Sequence, residues 1–179
     1  RPAYFERRYP SDRNTITANT FVGGTNGVWI GSRMGENTLP MDCTDPAYVD
    51  EPLNRVVLDR AADNVVAGNA FHGVTHGVRV EDDGNRVEGN AFHGTPPALR
   101  GGDDGPENLH AVIVGTPWRT SVLGRPVAGT VVRDNVSTIE GNPHPYRWVS
   151  DEAGSTVEGN VALGEPVGWC EAPEPPRGP

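Results

Sequence analysis

Charged side chains converge at one short run of this chain, Arg79-Val80-Glu81-Asp82-Asp83. Two carboxylates beside an arginine could supply the acid and base of glycoside cleavage. That makes Asp82, Asp83 and Arg79 candidate catalytic groups, with Arg79 neutralising an anionic group of the substrate. Carboxylates placed this way, Glu81 included, could also bond sugar hydroxyls or bind Ca²⁺. The plainer alternative is structural. Asp-Asp-Gly-Asn is a good turn sequence, and Arg79 can pair with Glu81 on a solvated face. Histidine makes a second constellation. His72 and His93 each follow a Phe, while His76 and His110 each precede a valine-rich segment. Four imidazoles in register could hold a transition metal or exchange protons near neutral pH. Duplication of surface residues by a repeat gives the same pattern without function. No Ser-His-Asp arrangement is fixed by spacing.

The composition narrows the chemistry further. The 179 residues carry a net charge of −9, and all 15 cationic side chains are Arg. Without lysine there is no Schiff base and no P-loop. Without a basic stripe, nucleic acid is not an expected partner. No apolar run reaches the length of a membrane span. Two cysteines, Cys43 and Cys170, are too few for a disulfide scaffold and lack metal-ligand spacing. They could form one disulfide, or remain two unrelated thiols. The sequon Asn135-Val-Ser137 falls within a repeated column expected to turn inward, so no glycan is expected there.

The elements that must position these groups are visible as a repeat. One frame occurs five times: Asn14 to Phe21, Asn64 to Phe71, Asn85 to Phe92, Thr130 to Ser137 and Ser155 to Ala162. Each copy has a small polar residue, an aliphatic two later, Asn five later, and Phe or a small residue at seven. Period-2 alternation predicts strands, with Ile16, Val66, Val87, Val132 and Val157 as one inward column. Phe21, Phe71 and Phe92 begin another, which ends in Ser137 and Ala162. Asn19, Asn69, Asn90, Asn135 and Asn160 mark a corner, where stacked amides can bond from one copy to the next. Gly68, Gly89 and Gly159 precede that Asn and suit a bend. A second strand follows at Gly27-Val-Trp-Ile30, Gly77-Val-Arg-Val80 and Ala111-Val-Ile-Val114, with Trp29, Arg79 and Ile113 facing out. A third strand is visible once, at Arg55-Val-Val-Leu58.

The complete periods are 21 residues, Asn64 to Asn85, and 25 residues, Thr130 to Ser155. These are short for helical-hairpin repeats, and no segment shows a helical period. The expectation is an all-β parallel β-helix solenoid of about five layers with long loop insertions. A leader would occupy residues 1–12, the solenoid 13–164, and a proline-rich extended tail 165–179, with Trp169 covering the last layer. The chain reads as a mature or truncated product whose earlier layers are absent. The frame Asn-x-Val-x-Gly-Asn-x-Phe with a following Gly-Val-x-Val resembles the repeat of right-handed parallel β-helix proteins. That superfamily includes polysaccharide lyases, mannuronan epimerases, pectin-acting enzymes and NosD-like periplasmic proteins. The resemblance implies right-handed coiling, agreeing with the crossover rule. It transfers no catalytic residue.

Insertions near residues 34–54 and 116–128 follow equivalent strands, and the copy between them has almost none. Two walls should therefore flank a floor of Arg79, Glu81, Asp82 and Asp83. One wall offers Asp42, Asp45, Tyr48 and Asp50. The other offers Trp118, Arg119 and Arg125, with Trp29 and Arg33 just below. Aromatic faces, guanidinium forks and carboxylates in a cleft suit a sugar chain. The candidate substrate-binding residues are Trp29, Arg33, Glu81, Trp118 and Arg119. The expected function is a secreted or extracellular module that binds or acts on a polysaccharide. If it is an enzyme, the classes are lyase, epimerase or glycoside hydrolase. The alternative is a non-catalytic structural or interaction module, part of a longer solenoid, whose first layer an N-terminal segment or partner chain would cap.

Overall fold

The computed structural model describes residues 11–31, 61–94, 109–117, 119–120, 124–148, 154–168 and 170–171. Its strands come in triplets. β1 (Thr15–Thr17), β2 (Thr20–Val22) and β3 (Asn26–Ile30) are followed by β4 (Val65–Ala67), β5 (Ala70–His72) and β6 (His76–Val80). Next come β7 (Arg86–Glu88), β8 (Ala91–Gly94) and β9 (His110–Val114), then β10 (Val131–Arg133), β11 (Val136–Ile139) and β12 (Tyr146–Trp148). The last are β13 (Thr156–Glu158), β14 (Val161–Ala162), β15 (Glu165–Pro166) and β16 (Cys170–Glu171). Each strand pairs with its counterpart in the next triplet, giving three sheets ordered β1-β4-β7-β10-β13, β2-β5-β8-β11-β14-β15 and β3-β6-β9-β12-β16. Every pairing is parallel except β14–β15.

The register follows from two left-handed corners per triplet. The residue before each ladder position has φ between 53° and 70°: Arg13, Asp63, Gly84, Gly129 and Gly154 at one corner, and Ala18, Gly68, Gly89, Asp134 and Gly159 at the other. Glycine takes that conformation at little cost, whereas Ala18 and Asp134 adopt it under mild strain. Between the corners, three residues suffice for a strand, and alternation sends the middle one inward. Ile16, Val66, Val87, Val132 and Val157 are thereby aligned across the first sheet. Phe21, Phe71, Phe92, Ser137 and Ala162 are aligned across the second. The three rings stack 4.7 and 4.8 Å apart, with nearly parallel planes, at the ordinary strand spacing.

A glycine column accommodates those rings. A Cβ on Gly27 would lie 2.6 Å from the Phe71 ring, and one on Gly77 would collide with Phe92. Where the ring column ends at Ser137, the glycine column ends too, at Ala111. Packing thus couples the start of the third-sheet strand to the second sheet of the next triplet.

Three expectations change. The third strand of the fourth triplet, Tyr146–Trp148, had no counterpart in the sequence pattern, and Tyr146 is fully buried in the core. Two stretches placed outside the repeat by the sequence pattern, Glu165–Pro166 and Cys170–Glu171, join the second and third sheets. Ile113 shares its outward register with Trp29 and Arg79 yet is buried. The Arg55–Leu58 strand and the 34–54 insertion lie outside the described residues.

Candidate functional site

Alternation along β3 and β6 places Trp29 and Arg79 side by side on the outer face of the third sheet. The Arg79 guanidinium carbon sits 4.7 Å from the Trp29 ring centroid, a cation–π contact. Glu81, just past β6, holds both partners. Its Oε1 accepts from Arg79 Nε at 2.7 Å, and its Oε2 accepts from Trp29 Nε1 at 3.0 Å. Thr116 Oγ1 adds a longer contact to Oε1. Glu81 is almost fully buried, whereas Trp29 is 57% exposed. An exposed indole is thus held in one orientation by two independent contacts.

The two aspartates that follow are turned to the framework. Asp82 is buried, with one oxygen on the Arg119 guanidinium and the other accepting from Ala61 N at 3.0 Å. Arg119 is fully buried, and its Nε donates to the Glu81 carbonyl at 2.5 Å. Expected to face substrate from a wall, it is instead an internal strut. The cause is the turn at Thr116: Thr116 Oγ1 accepts from Arg119 N, and Thr120 N donates to Thr116 O, aiming the side chain inward. Asp83 forms a bidentate pair with Arg125, with contacts of 3.0 and 2.5 Å, and accepts from Ala128 N at 2.8 Å. Partial burial pushes the Asp83 carboxyl up. The Arg125 bonds, the Ala128 amide and the charges of Arg125 and Arg119 outweigh it, and the carboxyl ends below the usual aspartate value. Asp12, at the same place two triplets earlier, likewise accepts from Ala62 N at 2.7 Å. Asp82 therefore ties its corner to the preceding triplet, and Asp83 ties it to the following one. Neither is placed as a catalytic carboxylate, since each is engaged by a guanidinium and a backbone amide.

The histidines form two pairs in register, on either side of the segment 73–75. His72 and His93 stack at 5.1 Å, with His93 Nδ1 2.8 Å from Thr138 Oγ1. His76 and His110 are tilted, 5.5 Å apart, and Arg147 lies 3.4 Å from His110 Nε2. A guanidinium beside a ring nitrogen opposes a second cation there. Among the described residues, no group of three or more His, Cys, Asp or Glu could hold a metal ion. Among the described residues, the four-histidine metal site and the Ca²⁺ site at Glu81, Asp82 and Asp83 both lack the converging donors they require.

Arg33, Trp118, Cys43, Asp42, Asp45, Tyr48 and Asp50 lie outside the described residues, and Cys170 contributes backbone to β16. Sequence reasoning missed Arg147, which shares the outward register of Trp29, Arg79 and Ile113. The alternation of Tyr146-Arg147-Trp148 was its only signal. No helix among the described residues is long and apolar enough to cross a membrane. Comparison with protein-family models, curated proteins and solved structures gives no match.

Proposed function

We propose that this chain is a right-handed parallel β-helix module of about five layers that works outside the cell. It binds a glycan on the outer face of its third sheet and does not cleave it. The parallel triplets and the handedness rule for parallel crossovers support the coiling. One observation carries the function: Trp29 is exposed yet fixed, its indole N–H on Glu81 and its face against Arg79. An indole ordered before binding loses little entropy when a pyranose ring stacks on it, and the neighbouring guanidinium can donate to hydroxyls. Binding is favoured over catalysis because the nearby carboxylates already have partners. Asp82 and Asp83 hold triplets together, and buried Glu81 holds Trp29 and Arg79. An acid–base pair needs a carboxyl free to meet the substrate and exchange its proton.

The test is a panel of soluble acidic and neutral polysaccharides in affinity gels, with parallel assays for new reducing ends and unsaturated products. The expected result is retardation by at least one glycan without product. Release of product would overturn the non-catalytic reading, and absence of retardation across the panel would overturn glycan binding itself.

A further inference from the structure

The amide ladders have a direction, and it makes the two ends of the sheets chemically different. At each step, the backbone N–H and the Nδ2 of one Asn donate to the Oδ1 of the Asn in the next triplet. This runs from Asn19 through Asn69, Asn90 and Asn135 to Asn160. Asn14, Asn64 and Asn85 repeat the pattern at the other corner. Each ladder therefore begins with an acceptor, Asn14 Oδ1 or Asn19 Oδ1, and no donor to either lies among the described residues. The same end carries the terminal strands of all three sheets, β1, β2 and β3. It also starts the ring stack. Phe71 and Phe92 are buried, whereas Phe21 is only half-buried and its neighbour Val22 is 79% exposed. At the opposite end the chain itself covers the Asn160 corner of the second sheet, while β13 is the terminal strand of the first. β15 runs antiparallel along β14, Val167 N donates to Asn160 O at 2.9 Å, and Val167 packs against the core.

We infer that the β1–β3 end is a docking surface for one further strand triplet of the same repeat, carried by a partner polypeptide. The required chemistry is specific. The incoming triplet must present amide donors to Asn14 and Asn19, and a glycine over Phe21. Gly27 stands in that relation to Phe71, and Gly77 to Phe92; a side chain there would collide with the ring. A second copy of this chain does not fit. Its donor end is covered by β15 and Val167, and its other end repeats the acceptors. Edge strands seek such partners, and matched donors and acceptors set the register.

A fluorescent peptide of residues 61–80 carries Asn64, Asn69 and Gly77 and serves as the probe, titrated against the full chain by anisotropy. The expected result is saturable binding, weakened at least about tenfold by N64A/N69A in the peptide and, separately, by G77V. Because the substitutions are in the probe, folding of the protein is not at issue. Equal binding of all three peptides, or no saturable binding of the parent peptide, overturns the proposal.

Discussion

Two corners of this molecule solve one problem, the burial of polar groups, in opposite ways. At the Asn19–Asn160 corner, one neutral amide recurs in every triplet. Each buried Asn side chain donates back to a backbone carbonyl of the preceding triplet, for example Asn90 Nδ2 to Val66 O at 2.9 Å and Asn135 Nδ2 to Val87 O at 2.9 Å. At the Asp82–Arg119 corner, a buried ion pair that does not recur from triplet to triplet is assembled from residues 37 apart in sequence. The ladder is modular, neutral and insensitive to pH. The ion pair is local, charged and dependent on the placement of one turn. Repetition supplies the framework, and the irregular corner sets what stands beside it on the outer face, Glu81 and hence Trp29.

Breaking the ion pair should cost most. Asp82→Ala removes the carboxylate paired with the buried Arg119 guanidinium and frees Ala61 N, and a loss of about 3–5 kcal/mol is expected in urea unfolding. A loss below about 1 kcal/mol would mean that Arg119 is solvated and the corner is not a strut. One ladder rung should cost somewhat less. Asn90→Ala leaves Asn69 N and Val66 O without their partner, an expected loss of about 2–3 kcal/mol by the same method. An effect no larger than that of an exposed surface change would contradict the ladder.

Acid separates the corners more finely. Asp83 and Glu88 both have carboxyl groups held below their ordinary values of 3.8 and 4.5. For each, burial raises the value, but arginine bonds and charges win: Arg125 at Asp83, Arg86 and Arg133 at Glu88. A depressed folded value stabilises the protein above the unfolded one. That stability is lost as the pH falls through the unfolded value towards the folded value. Thermal midpoints should therefore drop on acidification through and below the 3.8–4.5 range, and the drop should be shallower in Asp83→Asn. Identical profiles for the two proteins would remove Asp83 as a contributor. The smallest effect is a gain. Ala18 sits at φ 56° where Gly68 and Gly89 occupy the same corner, so Ala18→Gly should stabilise by about 0.5 kcal/mol. A destabilisation would place Ala18 outside the left-handed region.

The same contrast explains what was legible in the sequence. Valine, phenylalanine and asparagine columns can be read because each residue type returns at a fixed place, and parallel pairing turns that return into vertical contact. The outward register of Trp29 and Arg79 follows from alternation alone. Arg119 could not be read, because nothing in Pro117-Trp-Arg119 says that the guanidinium turns inward to a carboxylate far away in sequence. The direction of the Asp82 and Asp83 side chains was equally hidden: a turn-forming Asp-Asp-Gly-Asn fits a solvated loop and a buried anchor alike. The glycines facing the rings were a signal left unused, since Gly27 and Gly77 persist where a ring follows and give way to Ala111 where Ser137 does.

The central claim, that a fixed and exposed indole is a glycan platform rather than a brace for the sheet, is tested most directly by Trp29→Ala. The affinity of the wild type and the variant for a retained polysaccharide is measured by isothermal titration, with thermal midpoints taken on the same samples. The account predicts a midpoint close to that of the wild type and affinity at least about tenfold weaker. Unchanged affinity, or a loss of affinity only in step with unfolding, would contradict it.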